Sequence, residues 1–371
     1  MPELWLKYGQ TSVVLDIKYE NLQAHIYPAT SIDYLAEQRI EDELSNIDIS
    51  DNTIIVVLSV SKAVLDLVDQ ISQRAVLKGY DHIAFTSRAD LLKMLRNSLR
   101  KQPFPVYDST NASLFPLVSK YKNMLCISQA RYDPLFGYGG SPTLLLRQFY
   151  PVEMNEAFYV RSNNLPNPHT KFPPLEVALR TVDSLNANSI EIVGSPKIFS
   201  LHHGTISQSF ESAIRSLDLG KKTTRDKCQT TLISPGDDLE SHLTLFSSLN
   251  SLWNVMESIK EGGLTVLLSE NEMGLGCKAL EMYVQEKLDI QKHLQEKLQY
   301  LEGLEHVLFL HELTKNYDLG IISTLPEYYQ LKLGLVPFKS IKECYHKALL
   351  KFGRSQKILV ITGADILSLA D

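Results

Sequence analysis

Between Leu135 and Thr143 the chain reads Leu-Phe-Gly-Tyr-Gly-Gly-Ser-Pro-Thr, with three glycines in four positions directly after a strand-like run. Glycine lets the backbone approach a bound group closely, and successive amides in such a turn form a concavity that suits an anion. Side chains nearby can complete a carboxylate site. Arg131 and Arg147 can meet a carboxylate bidentately, and Tyr132, Asp133, Tyr138, Ser141 and Thr143 add donors and acceptors. The expected chemistry is recognition of a small acid by Arg131, Tyr132, Tyr138, Gly139, Gly140, Ser141 and Arg147. The alternative is a turn whose glycines only pack it against a second domain.

Two further spots invite the same question. Asp237-Asp238 follows a strand and precedes a helix, where open α/β sheets bind ligands and where aspartate also serves as an ordinary N-cap. Gly274-Leu-Gly276 lies between a strand and a helix start, so its amides can hold a carboxylate or phosphate, although Glu270 and Glu272 beside it repel anions. The alternative there is a tight structural turn. His202-His203-Gly204 is the one histidine pair. Neighbouring strand residues point to opposite faces, so the pair reads as surface or turn, with His203 a weak metal candidate.

Alternating strand-like and helix-like segments must position these residues, which argues α/β architecture: two domains of mostly parallel sheet flanked by helices, with a ligand cleft between them. Thr11–Ile17 and Leu22–Pro28 read as short strands, a hairpin being one option, and a helix follows over about 33–46. Thr53–Val60 is a continuous β-branched run and so a central parallel strand. Helical spacing covers Lys62–Leu77 and Ala89–Leu99, with a strand at His82–Thr86, and Asn123–Ser128 leads into the glycine loop. From about Tyr150 to Pro174 the pattern breaks into turn chemistry. Leu175–Leu185 returns to helix, Ser189–Gly194 to strand, and Ser207–Leu217 to helix.

The polar segment after Gly220 reads as a linker, dividing the chain into 1–220, a linker 221–228, and 229–371, with the last strand free to return to the first domain. Beyond it the expected elements are a strand Gln229–Ser234, a helix Leu239–Lys260 ended by Gly262-Gly263, a strand Leu264–Ser269 and a long helix Ala279–Leu301. Strands at His306–Leu310, Leu319–Ser323 and Lys357–Thr362 and a helix Ser340–Lys351 complete the pattern.

Composition narrows the function. A 371-residue chain with 44% hydrophobic and 22% charged residues is globular and long enough for two cores. Its net charge of −6 argues against a nucleic-acid partner, and the cluster Arg88, Lys93, Arg96, Arg100 and Lys101 reads as a solvated helix face. No apolar run is long enough for a membrane span, and the first residues lack the pattern of a secretory leader. Cys126, Cys228, Cys277 and Cys344 lie far apart, without a Cys-x-x-Cys pair, so four reduced thiols in a cytoplasmic protein are expected.

Taken in order, Leu6-Lys-Tyr-Gly, the glycine loop, Lys260-Glu-Gly-Gly-Leu-Thr-Val-Leu-Leu-Ser with Gly274-Leu-Gly, and Tyr345-His-Lys-Ala-Leu-Leu-Lys-Phe-Gly with Lys357-Ile-Leu-Val-Ile resemble the nickel-dependent lactate racemase family. The glycine loop is similar to that family's Phe-Ser-Gly-Gly-Arg-Lys loop. The resemblance implies a two-domain α/β fold and a nickel pincer nucleotide, which takes a hydride from the α-carbon of a 2-hydroxy acid while histidines act on the hydroxyl. It also implies positions for the reactive groups, and this chain departs from each. The attachment lysine falls at Pro142, and an acid–base histidine near Tyr132. The metal-ligand histidine falls near Ser162–Asn164, the early Asp-His-Thr-Arg-Pro loop at Val60–Val64, and the substrate-contacting lysine near Asn250. His169 is the nearest replacement for the metal ligand. Pro142 argues against covalent pincer attachment. The expected function is a catalytically degenerate homologue holding a small carboxylate between its domains, with Asp237, Asn250, Gly274 and Gly276 on the facing wall. The alternative is a divergent 2-hydroxyacid racemase or epimerase that keeps the cofactor without the lysine.

Overall fold

A computed structural model describes residues 3–28, 34–47, 49–109, 114–166, 170–219, 222–223, 227–367 and 369–370. His169 and half of the expected linker (221 and 224–226) lie outside them. In chain order the strands are β1 (Glu3–Tyr8), β2 (Thr11–Asp16), β3 (Leu22–Ile26), β4 (Thr53–Val57), β5 (Ile83–Ser87), β6 (Val106–Asp108), β7 (Asn123–Gln129), β8 (Arg131–Asp133) and β9 (Gly137–Gly139). They continue as β10 (Asn188–Val193), β11 (Ser200–Thr205), β12 (Lys222–Thr223), β13 (Cys228–Ser234), β14 (Ile259–Leu268), β15 (Asp318–Ile322), β16 (Val336–Phe338), β17 (Ile358–Thr362) and β18 (Leu369–Ala370).

Two six-stranded sheets carry the fold. The first runs β11-β10-β7-β4-β5-β6 and the second β16-β15-β14-β13-β17-β3. All pairings in them are parallel except β10 with β11. Every residue of β4 and β5 is buried, as expected of parallel strands covered by helices on both faces. The helix Lys62–Leu77 supplies one such cover. It buries Val64, Leu67, Val68 and Ile71, and Ser61 caps it by accepting from the Val64 amide. Helices also join the sheets, because Leu146, Phe158 and Phe210 share one apolar cluster with Leu249, Trp253 and Phe309.

Several local expectations give way. The hairpin pairs β2 with β1, while β3 runs parallel beside β17 at the edge of the second sheet. The chain therefore starts in a separate two-stranded ribbon packed on the second sheet, adds β3 to that sheet, crosses to the first, and returns. β17 stays inside the second sheet, and β18 pairs with β12.

A helix, Pro151–Tyr159, occupies the start of the stretch that reads as irregular; its prolines and polar residues hide a short buried face of Met154, Ala157 and Phe158. Gly262-Gly263 ends no helix. The expected helix stops at Trp253, and the glycines lie within β14, where the register with β13 shifts. The expected long helix from Ala279 is two short ones, Lys278–Val284 and Ile290–Gln295. Between them Glu286 takes a positive φ, and the Asp289 side chain starts the second by accepting from the Lys292 amide. His306–Leu310 is part of a helix, Leu304–Leu313, buried almost all round. All four cysteines are buried thiols. No described helix is long and apolar enough to cross a membrane.

Candidate functional site

A cleft of about 320 Å³ opens at the carboxyl ends of the first sheet's strands. Leu58 and Ser59 follow β4, Arg88 follows β5, and Gln129 ends β7. From β4 the chain proceeds to β5 and β6 on one side, then returns to β7 on the other. Adjacent loops diverge at such a reversal, which leaves a crevice. The facing wall comes from the helix Leu245–Trp253, the Met273–Gly276 loop and His306.

The glycine loop feeds the helix Ser141–Phe149, whose residues Thr143, Leu144, Arg147 and Gln148 face the cleft at helical spacing. Gly139, Gly140, Arg131 and Tyr132 also line it. Gly140 is required by packing: a Cβ there would meet the Phe210 ring at 2.7 Å and Glu191 Oε2 at 3.0 Å. Ser141 is fully buried and does not line the cleft. Its amide donates to Glu191 Oε1 at 2.8 Å, and Ser128 Oγ donates to Glu191 Oε2 at 2.6 Å. An internal carboxylate thus sits where the loop was expected to take an external anion. Burial raises the pKa of Glu191, against the hydrogen bonds from Ser128 and Ser141. Tyr138 points away, its hydroxyl donating to the Asp218 carboxylate at 2.9 Å. Tyr132 spends its hydroxyl on the Leu217 carbonyl at 3.1 Å.

Three arginines line the cleft, and each is held by two carboxylates. Arg131 Nη2 donates to Glu240 at 2.8 Å and Asp238 at 3.1 Å. Arg147 donates to Glu305 at 2.6 Å through Nη1 and to Asp133 at 3.2 Å through Nη2, and its guanidinium lies over the Phe136 ring. Arg88 donates to Glu302 at 2.7 Å and chelates Asp90. Three cations against six carboxylates leave the cleft net negative. Burial alone would lower the pKa of Arg131, but Glu240, Asp238 and Asp365 outweigh it and raise it. Burial acts to raise the fully buried Glu305, yet Arg147 overcomes it and holds the carboxyl below its ordinary value. Among the described residues, a carboxylate entering the cleft meets no cation that is not already paired.

The other expected positions separate. Asn250 and Gly276 line the facing wall; Gly274 and Asp237 do not. The Gly274 and Leu275 carbonyls accept from the Leu245 and Phe246 amides, so this loop turns carbonyls toward a helix N-terminus and offers it no anion. Asp237 pairs with Lys7 at 3.1 Å on the surface, while Asp238 is buried against Arg131. His202 and His203 lie on the edge strand β11, His203 exposed and His202 bonded to Ser200 and Ser216.

His306 and Gln148 are neutral cleft side chains outside the sequence-derived site, and Asn250 is a neutral one on its expected facing wall. His306 is 1% exposed and its Nδ1 accepts from the Trp253 indole N–H at 2.7 Å. Burial pushes its pKa down to about 4, so the ring is neutral. Oε1 of Gln148 and Oδ1 of Asn250 are buried and, among the described residues, have no hydrogen-bond partner. The apolar run Val307–Leu310 beside His306 reads equally as strand; Leu304 and Leu313, which extend it at helical spacing on either side, were the available signal.

The donor set does not suit a lysine-anchored nickel pincer. Among the described residues no lysine lines the cleft, and Pro142 is buried in the first turn of its helix. The one imidazole there among the described residues has its Nδ1 lone pair engaged by Trp253 and its other nitrogen protonated. Among the described residues no group of three or more His, Cys, Asp or Glu side chains is arranged to hold a metal ion.

No family model matches the chain, and no curated protein matches it. Solved structures do. The lactate racemase apoprotein from Thermoanaerobacterium thermosaccharolyticum superposes with a TM-score of 0.77 at 14% identity, covering 100% of both chains. A protein from Thermotoga maritima superposes with a TM-score of 0.58 at 11% identity, covering 91% of this chain and 99% of that one. At such identities the likeness is one of fold, and it extends from end to end.

Proposed function

We propose that this chain is a divergent relative of the lactate racemases that binds a small molecule in the inter-sheet cleft without nickel pincer chemistry. The full-length likeness in fold to a lactate racemase apoprotein supports the kinship. One observation carries the loss of chemistry: no lysine exists between Tyr132 and Leu146, and Pro142 takes the first turn of the loop's helix. The paired state of Arg88, Arg131 and Arg147 agrees, since charged groups committed to one another are not free to move protons at an α-carbon. What remains in the cleft is suited to holding and orienting a ligand. We also place the division of the chain along the sheets, with the first three strands joining the carboxyl-terminal unit.

The test is a native mass spectrum of the full chain, co-produced with the enzymes that build the pincer cofactor. A bare chain, or one carrying an unrelated small molecule, is expected. A mass increment of nickel plus pincer, together with α-proton exchange on a 2-hydroxy acid, would overturn the proposal and restore the racemase reading.

A further inference from the structure

We propose that the cleft takes an uncharged ligand bearing a carbonyl beside an N–H or O–H, an amide being the simplest, and that His306 recognises the carbonyl oxygen through Nε2–H. Trp253 sets this preference by holding the imidazole in one tautomer. The inference rests on the cleft being a ligand site, as proposed above.

The tautomer follows from the partner. An indole N–H can only donate, so Nδ1 of His306 must accept, at 2.7 Å. The single proton of the neutral ring is then on Nε2. Moving it to Nδ1 would set two N–H groups against each other. Neighbouring rings fix the orientation: Phe246 meets His306 edge-on at 4.9 Å and Trp253 lies stacked at 6.2 Å. His306 borders the cleft, and among the described residues its Nε2 has no hydrogen-bond partner. It is a donor already stripped of most of its water and held in place, the condition under which one hydrogen bond discriminates most strongly.

The remaining uncommitted groups are also neutral. Gln148 is 5% exposed, with Oε1 buried and unpartnered among the described residues, and Asn250 Oδ1 is in the same state. Each wants a donor. A ligand amide supplies both halves: its oxygen to His306 and its N–H to Gln148 or Asn250. Leu91, Met94, Leu144 and Phe246 give its carbon skeleton an apolar wall. A carboxylate of the same size would lose its hydration and face six carboxylates whose arginines are already engaged.

The experiment uses the uniformly ¹⁵N-labelled full chain at pH 7, followed by long-range ¹H–¹⁵N correlation of the histidine rings and by backbone shifts. Benzamide, benzoate and benzylamine are titrated separately. The expected results are a His306 ring in the Nε2–H tautomer, a shift of that N–H with benzamide, and benzamide binding about tenfold tighter than benzoate. His306→Phe should cost benzamide about tenfold and leave benzoate unchanged. Trp253→Phe should admit the second tautomer and narrow the preference. If either variant misfolds, the wild-type tautomer and the benzamide-to-benzoate ratio decide alone. An Nδ1–H or doubly protonated ring, or tighter benzoate or benzylamine, overturns this inference and leaves the ligand cleft standing. No shift around Leu144 and Asn250 with any of the three overturns the cleft reading as well.

Discussion

Glu191, fully buried at the end of the glycine loop, accepts from the Ser141 amide at 2.8 Å and so occupies the N-terminus of the helix that the loop introduces. A helix N-terminus attracts negative charge, and here the protein supplies it from its own β10. The loop is a closed joint, and the side chains that line the cleft lie in the first and second turns of the same helix.

Removing that carboxylate should be costly only when its shape is lost as well. Glu191→Ala orphans the Ser141 amide and Ser128 hydroxyl and leaves a cavity, for an expected loss of about 2–4 kcal/mol. Glu191→Gln keeps an acceptor for the amide and is expected within about 1 kcal/mol of wild type. Because burial raises the pKa of Glu191, its contribution is present at acid pH and lost as pH rises past its ordinary value, so the glutamine variant should compare best at pH 8. Urea melts at pH 5 and pH 8 decide; an alanine variant as stable as the glutamine one would refute the seat.

Arg147 is a clamp. It joins Asp133 and Glu305 and donates to the Tyr300 hydroxyl oxygen at 2.8 Å. Arg147→Met leaves two buried carboxyls without a cation and should cost about 3–5 kcal/mol. Adding Glu305→Gln should recover part of this, because the uncompensated charge is then gone. A double variant no more stable than the single one in chemical denaturation would speak against an electrostatic role.

Asp365 and His306 act on stability in opposite directions. The unfolded His306 binds a proton below about 6.5, the folded one only below about 4, so stability is lost as pH falls through that window, by on the order of 3 kcal/mol. Burial and then Asp238 raise Asp365 to about 7 from 3.8, so the folded state holds a proton there that the unfolded state has released. That stability is lost as pH rises from about 3.8 to about 7, by on the order of 4 kcal/mol. Between about pH 4 and 6.5 the two offset each other. Asp365→Asn should therefore raise stability above pH 7 and expose a steeper acid loss below pH 6.5 in a urea series. Parallel pH profiles for variant and wild type would contradict this.

His242 ties the β1–β2 turn to the second sheet. Its Nδ1 accepts from the Gly9 amide at 3.2 Å and its Nε2 donates to the Gly236 carbonyl at 2.9 Å. Burial lowers its pKa, so the bond holds at neutral pH and is lost as pH falls below the ordinary 6.5 through the folded value. His242→Leu should speed hydrogen exchange at Gly9 about tenfold and cost about 1–2 kcal/mol. Unchanged Gly9 protection, after correction for intrinsic rates, would show that the turn is held by β-pairing alone.

Much of the frame was legible in the residues. The apolar β-branched runs at Thr53–Val57 and Ile358–Thr362 identify themselves as parallel strands, because only strands covered on both faces are apolar throughout. The glycine loop, Arg131, Arg147 and Asn250 were recognisable as one neighbourhood of a two-unit α/β chain, and all of them contribute to the cleft. Local pattern failed where period and length are ambiguous, as at His306, and where a segment's partner lies far away in sequence, as with β3 beside β17. Residue types also announced three arginines and a glycine turn without saying who had already engaged them. Four of the six arginine–carboxylate pairs, the seating of Glu191 under Ser141 and the lock of Trp253 on His306 depend on groups 50 or more residues apart, at separations of 107–214, 50 and 53 positions. Sequence sets which groups can ionise or donate; only the packed chain decides which are already satisfied, because hydrogen bonding and Coulomb energy are settled by distance and burial.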